Sequence, residues 1–184
     1  MLREGNLPEA ARRVIWRSMN PAATRLGLLG AALAAGVALG GALAAETFLG
    51  VVPCALCLIE RWPYRIAIGV ALIGLLLPRL PGRVALALAG LIVLGGGVVA
   101  AVHVGVEAKL WPSPLPECAA PHFSGGSIAD RLASMPARPS KPCDEPTYMV
   151  PGLPLSTAAL NLIYALAYGV GVGFWLWRTR RPSA

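Results

Sequence analysis

The sequence predicts an all-α membrane protein, a bundle of four transmembrane helices with one long outer loop between spans three and four. Three observations carry this. Of the 184 residues 56% are hydrophobic and only 14% charged, with a mean hydropathy of +0.63. Several apolar runs reach the roughly 20 residues needed to cross a hydrocarbon core about 30 Å thick. Lysines and arginines gather at alternate ends of those runs, the pattern that sets orientation in a bilayer.

Residues 26–45 form the first span and carry no charge. The segment before it, residues 1–25, holds Arg3, Arg12, Arg13, Arg17 and Arg25, with Val14, Ile15 and Trp16 among them. It is expected to be cytoplasmic and suits the membrane surface; Met19 offers an alternative start. Ala42-Leu43-Ala44 resembles a signal-peptide cleavage site, but the apolar run exceeds a signal core of about 7–15 residues, so it reads as a retained span.

The second span is the hardest. Residues 66–77 alone are too short, and full length requires extension back through Arg65, Arg61 and Glu60 to about Leu58. Residues 84–106 make the third span, with His103 as its only ionisable side chain, and residues 153–177 the fourth, with Asn161 as its polar exception. The connections 46–53 and 78–83 are short, so the helices they join should pack as antiparallel neighbours. Gly36, Gly40, Gly41, Gly69, Gly74 and Gly95 to Gly97 are candidates for close helix approach. Trp62, Trp111, Trp175 and Trp177 sit near span ends, as interfacial anchors do.

Arg79 and Arg83 in the 78–83 turn, and Arg178, Arg180 and Arg181 in the 178–184 tail, share a face with the basic N-terminal segment. The loop 107–150 instead balances Lys109, Arg131, Arg138 and Lys141 against Glu107, Glu117, Asp130, Asp144 and Glu145. Both termini are therefore expected in the cytoplasm, and the outer loops, about 46–57 and 107–150, on the opposite side. The net charge of +7 is topological. Nucleic-acid binding would need a basic soluble domain, and the sequence contains none. Within the long Pro-rich loop, Ile128, Leu132 and Met135 recur at helical spacing, so a short surface helix is expected over 127–135.

All four cysteines fall on the outer side. Cys54-Ala55-Leu56-Cys57 opens the second span after Pro53, while Cys118 and Cys143 lie in the long loop. A C-x-x-C serves thiol redox work or metal binding. At a helix N-terminus the dipole and free amides stabilise a thiolate, which is the nucleophile of disulfide exchange; this makes Cys57 a candidate reactive sulfur. Helical counting places Arg61 and Arg65 on the face of Cys57, beside Glu60. An arginine at membrane depth is costly and marks a functional site, although a Glu60–Arg61 pair that only holds packing, or a snorkelling side chain, would look the same. Structural zinc usually takes two closely spaced ligand pairs, and here the second pair is split, so no metal is assigned. A purely structural disulfide framework, for instance a Cys118–Cys143 staple, is the remaining alternative to a redox relay.

The stretch from Glu46 to Tyr64, with its Pro-Cys-x-x-Cys-x-x-Glu-Arg core, resembles the first outer loop and second helix of the DsbB family of disulfide bond formation membrane proteins. His103-Val104-Gly105-Val106-Glu107, Trp111-Pro112-Ser113-Pro114 before Cys118, Pro142-Cys143-Asp144-Glu145, and Gly152-Leu153-Pro154-Leu155-Ser156 are similar to later parts of that family. The resemblance spans about residues 26–177, read as one thiol oxidoreductase domain. It implies an inner-membrane enzyme that reoxidises a periplasmic DsbA-like thiol oxidase and passes the electrons to a membrane quinone, ubiquinone or menaquinone. It further implies that Cys118 forms the mixed disulfide with the partner and Cys143 resolves it toward Cys54. Cys57, with Cys54, would face the quinone, with Arg61 supporting that site and His103 near it. Tyr148 stands where the family often has a tryptophan. A vitamin-K-epoxide-reductase-like relay shares this logic but places its C-x-x-C after the loop pair, whereas here it comes first. A non-catalytic membrane scaffold with structural disulfides is the alternative from outside the enzymes.

Overall fold

The computed structural model describes residues 21–77, 81–118, 127–133, 141–149 and 152–179. Six α-helices and a 3₁₀ turn appear among them: α1 (Pro21–Phe48), α2 (Ala55–Glu60), α3 (Trp62–Leu76), α4 (Gly82–Glu107), the 3₁₀ turn Pro116–Cys118, α5 (Ile128–Ala133) and α6 (Thr157–Arg178). The basic segment before residue 21, Arg79, Met135, Arg180 and Arg181 lie outside the described residues.

Three helices, α1, α4 and α6, are long and apolar enough to cross a membrane. The expected second span is divided. Proline has no N–H to donate back to the preceding turn, and Pro63 stands at the start of α3. The helix therefore ends at Glu60 and restarts at Trp62, with Arg61 capping both pieces. At 15 residues, α3 falls short of the roughly 20 needed alone.

The two arginines of this stretch differ in setting. Arg61 is buried, while Arg65 is exposed and sits over the Trp62 ring, 5.3 Å from its centroid. Of the three residues expected on one face, Cys57 and Arg61 border the same cavity and Arg65 does not.

α1 packs on α3, and α4 on both α3 and α6. The contacts are made largely by small side chains. Ala31, Ala35, Ala67, Ala71, Ala85, Ala89 and Ala165 are buried in one cluster with Leu28, Leu86 and Val93. Lipid tails are as apolar as leucine, so helix association in a bilayer depends on such close packing. The outward faces carry the larger apolar groups, among them Leu33, Leu91, Val98 and Val170, each more than 60% exposed.

Of the glycines singled out in the sequence, Gly74, Gly96 and Gly97 meet a neighbouring helix, whereas Gly36, Gly40, Gly41, Gly69 and Gly95 face open space. Gly96 matters most. A Cβ there would lie 2.7 Å from Cγ of Pro63, a ring that cannot rotate away. Overpacking of this kind costs about 1–3 kcal/mol. Gly96→Ala should lower the thermal unfolding midpoint in detergent, and an unchanged midpoint would mean that α3 and α4 are free to separate at that level.

At one end of the bundle Arg83 ties α4 to the end of α6, its Nη2 donating to the Leu176 carbonyl at 2.6 Å and its Nη1 to Thr179 Oγ1 at 2.9 Å. At the other end the loops assemble. The expected loop helix is present as α5, capped by Ser127 and Asp130: the Asp130 amide donates to Ser127 Oγ at 3.2 Å, and the Ser127 amide to Asp130 Oδ2 at 2.9 Å. This reciprocal arrangement satisfies amides that a helix start otherwise leaves bare.

Candidate active site

Cys54 is the residue before α2 and accepts a hydrogen bond from the Cys57 amide at 3.3 Å. The cap position, and with it the stabilisation expected for Cys57, therefore belongs to Cys54. The two sulfurs are 2.9 Å apart and both are free thiols. Cys54 also lies 3.5 Å from Nε2 of His103. The Cys57 S–H holds the Cys54 thiol well below its ordinary pKa, joined by His103 and the Cys57 amide and opposed by burial. Cys54 is thus the sulfur of the pair that more readily carries the thiolate.

His103 comes from α4, where it is almost fully buried. A carboxylate can only accept, so the His103 Nδ1–H donates to Glu60 Oε1 at 2.7 Å. That bond fixes the ring and turns Nε2 toward Cys54. Glu107, one helical turn on, places Oε1 3.9 Å from the same nitrogen. Its other oxygen accepts from Ser156 Oγ, the side chain that caps α6. The second oxygen of Glu60 accepts from Asn161 Nδ2 at 2.7 Å, and Tyr64 donates to Asn161 Oδ1 at 2.6 Å. A continuous polar chain thus joins α2, α3, α4 and α6 inside an apolar bundle. Buried charges of this kind persist only when paired and hydrogen-bonded.

Arg61 is also paired, but not with its neighbour Glu60. Its Nη1 meets Glu46 Oε2 at 2.7 Å. This contact exists because α1 runs on to Phe48, into the stretch expected to be loop, and so carries Glu46 on its last turns. Glu46 is partly exposed.

Beside these groups lies a cavity of about 340 Å³, bordered by Cys57, Glu60, Arg61, Tyr64, Asn161 and Tyr164, with α1 residues such as Val37 completing an apolar wall. It is large, mostly apolar and supplied with a few convergent polar groups, the usual make-up of a small-molecule site.

The loop cysteines approach from the other direction. Cys118 and Cys143 form a disulfide with Cα atoms 4.9 Å apart. The Cys143 amide donates to the Cys118 carbonyl at 3.3 Å, and Lys141 pairs as an isolated bridge with Cys54. Cys54, Cys118 and Cys143 are all buried in one cluster with Leu56 and Val106, and Cys57 packs against it. Cys118, but not Cys143, borders a groove of about 630 Å³ that includes Trp111, Pro112, Leu115 and Pro142.

All six residues singled out by sequence, Cys54, Cys57, Arg61, His103, Cys118 and Cys143, are therefore brought to one end of the bundle. The sequence assigns no role to Glu46, Tyr64, Glu107 or Ser156, marks Asn161 only as a polar exception, and offers Glu60 only as an ion-pair partner of Arg61. The usable signal was polarity in or beside apolar spans, which by default marks a site.

The fold and the site together define a multi-pass helical membrane protein with thiol–disulfide chemistry at one end. More particularly, the chain belongs to the DsbB family: the model for "Disulfide bond formation protein DsbB" matches residues 24–175. No curated protein and no solved structure matches the chain.

Proposed function

We propose that the protein is an inner-membrane dithiol–quinone oxidoreductase that reoxidises a periplasmic DsbA-like thiol oxidase and delivers the electrons to a membrane quinone. The observation that carries this reading is the common burial of Cys54, Cys118 and Cys143 next to Cys57, which borders an apolar cavity. Two electrons can then move from loop to cavity by disulfide exchange alone.

The exchange balances in three steps. The partner's thiolate attacks the Cys118–Cys143 disulfide, and resolution leaves the partner oxidised and the loop pair reduced. The loop dithiol next reduces a Cys54–Cys57 disulfide and regains its own. The inner dithiol then gives up two electrons and two protons and becomes a disulfide again. Cys118 is the sulfur of the loop pair that borders the groove, which favours it as the first to meet the partner, and its burial requires the loop to open on docking.

The cavity residues suit a quinone ring. Apolar walls accommodate its body, and Arg61 and Asn161 have N–H groups beyond those already engaged to offer as donors. When bound, a quinone supplies a two-electron, two-proton acceptor. Arg61 would stabilise negative charge on an acceptor oxygen, its own cation held in place by Glu46. His103 and Glu60 would hold and pass the proton associated with Cys54. The reading includes four spans, α2 and α3 acting together as the second, with both termini cytoplasmic.

Two tests address this. A membrane-impermeant thiol reagent applied to reduced cells with a permeabilised outer membrane should modify Cys118 or Cys143; labelling only from the cytoplasmic side would overturn the orientation. Membranes stripped of quinone should lose oxidation of a reduced thiol oxidase and recover it on adding a short-chain quinone. Oxidation that continues undiminished in stripped membranes would remove the quinone from the account.

A further inference from the structure

We infer that the reduced Cys54–Cys57 pair and His103 form a binding site for one zinc-type divalent cation, open only while the pair is in its dithiol state. The two sulfurs and a ring nitrogen of His103 lie within 4.8 Å of one another, the one such group among the described residues. Two thiolates and an imidazole are a known zinc donor set that leaves a fourth position free.

The geometry is close to what a tetrahedral ion requires. Bonds of about 2.3 Å to sulfur and about 2.0–2.1 Å to nitrogen imply ligand–ligand edges of about 3.4–3.8 Å. The Cys54 Sγ to His103 Nε2 separation is 3.5 Å. The sulfurs, 2.9 Å apart, must part by about 0.9 Å to span a tetrahedral S–S edge. Glu107 Oε1 lies 3.9 Å from Nε2 but is not among the atoms that gather within 4.8 Å of one another.

The second feature is the partner of His103. Metal-binding histidines characteristically donate their other ring N–H to a carboxylate, which fixes the tautomer and raises ligand basicity. Glu60 Oε1 accepts that N–H at 2.7 Å and is itself held by Asn161. Charge points the same way. Two thiolates neutralise a divalent cation in a buried, apolar setting, where an unbalanced charge is costly.

Binding is not a redox step: the two thiols lose two protons and the cation takes both thiolates. While it stays bound, the charge of both thiolates is committed to the cation, and closing the disulfide requires the cation to leave. The site would therefore make the inner pair sensitive to free zinc whichever electron acceptor it serves, and binding can be measured without any acceptor.

The test uses the full-length Cys118→Ser/Cys143→Ser protein in detergent, so that the loop pair cannot contribute, reduced, freed of reductant and kept anaerobic. Titration with Co²⁺ should give one equivalent of tetrahedral binding, with intense visible bands and thiolate-to-cobalt charge transfer, displaced by Zn²⁺. X-ray absorption of the Zn²⁺ form should show two sulfurs and at least one imidazole nitrogen. Oxidising Cys54–Cys57 in the same protein, which changes no residue, should abolish the spectrum. Glu60→Gln should weaken Zn²⁺ binding by about 10–100-fold, the usual effect of removing such a carboxylate, and His103→Ala should remove the nitrogen shell. Absence of tetrahedral cobalt in the reduced protein, an identical spectrum in the oxidised protein, or a zinc shell without imidazole would each overturn the inference. None of these results bears on quinone reduction, so the two readings fail separately.

Discussion

Cys143→Ser, which leaves Cys118 as a free thiol, should trap a covalent adduct between Cys118 and an oxidised thiol oxidase and reduce quinone-dependent turnover to the background of reduced partner and quinone alone. The reason is the sequence of exchanges. Without Cys143 there is no loop disulfide for a reduced partner to open, so turnover stops. The free Cys118 thiolate can instead attack the partner's own disulfide, releasing one partner thiolate, and the mixed disulfide then lacks Cys143, the sulfur bonded to Cys118 in the structure, to displace the partner. Serine keeps the size of the side chain but is no nucleophile for sulfur under these conditions. Cys118→Ser should lose turnover to the same extent without forming the adduct. Non-reducing gels, with the released partner identified after reduction, read both results. If neither variant forms an adduct while the wild type oxidises its partner, Cys118 is not the sulfur that meets it.

The second large effect is expected at Arg61. Removing one preorganised donor from a site where charge develops on oxygen typically lowers the rate about 10²–10³-fold, and Arg61→Ala should fall in that range for quinone reduction. Arg61→Lys keeps the charge but loses the planar fork, so it should be impaired less in rate while its KM for quinone rises. Exchange between the partner and Cys118 should be unaffected in both, because that sulfur lies on a separate loop. The fold should tolerate the change, since the Glu46 carboxylate is 37% exposed and can be hydrated once its partner is gone. Turnover against quinone concentration, with partner fixed, checks this. An unchanged kcat and KM in both variants would leave Arg61 with the packing role of an ion pair between the end of α1 and the α2–α3 break.

The spans most legible in the sequence were those set by apolar length alone, α1, α4 and α6; the Cys54–Cys57 pair was visible from spacing, and Cys118 and Cys143 only from sharing one loop. What the sequence reading misjudged had local causes. Helical counting from Cys57 to Arg65 did not distinguish Arg61, which is buried, from Arg65, which is exposed one turn further on. Assigning residues 46–53 to a connection hid the partner of Arg61, because Glu46 belongs to α1. Similarly, Glu60 looked like the natural partner of the adjacent Arg61, yet in a helix adjacent residues point about 100° apart. Glu60 instead faces His103 and Asn161, 43 and 101 residues away. Those pairings depend on the rotation of packed helices about their axes, which hydropathy does not encode. The same rotation explains why no metal was assigned from the cysteine spacing, since the third ligand of the candidate cation site comes from another helix.

The central claim is that electrons leave the partner's dithiol, pass through both cysteine pairs and reach a quinone. The most direct measurement is anaerobic mixing of the purified protein with a short-chain quinone and an excess of reduced thiol oxidase, following quinone absorbance and partner thiols together. The account predicts catalytic loss of oxidised quinone, one molecule for each partner disulfide formed, and none with Cys57→Ser or Cys118→Ser. Partner oxidation without quinone reduction, or quinone reduction that persists in either variant, would contradict it.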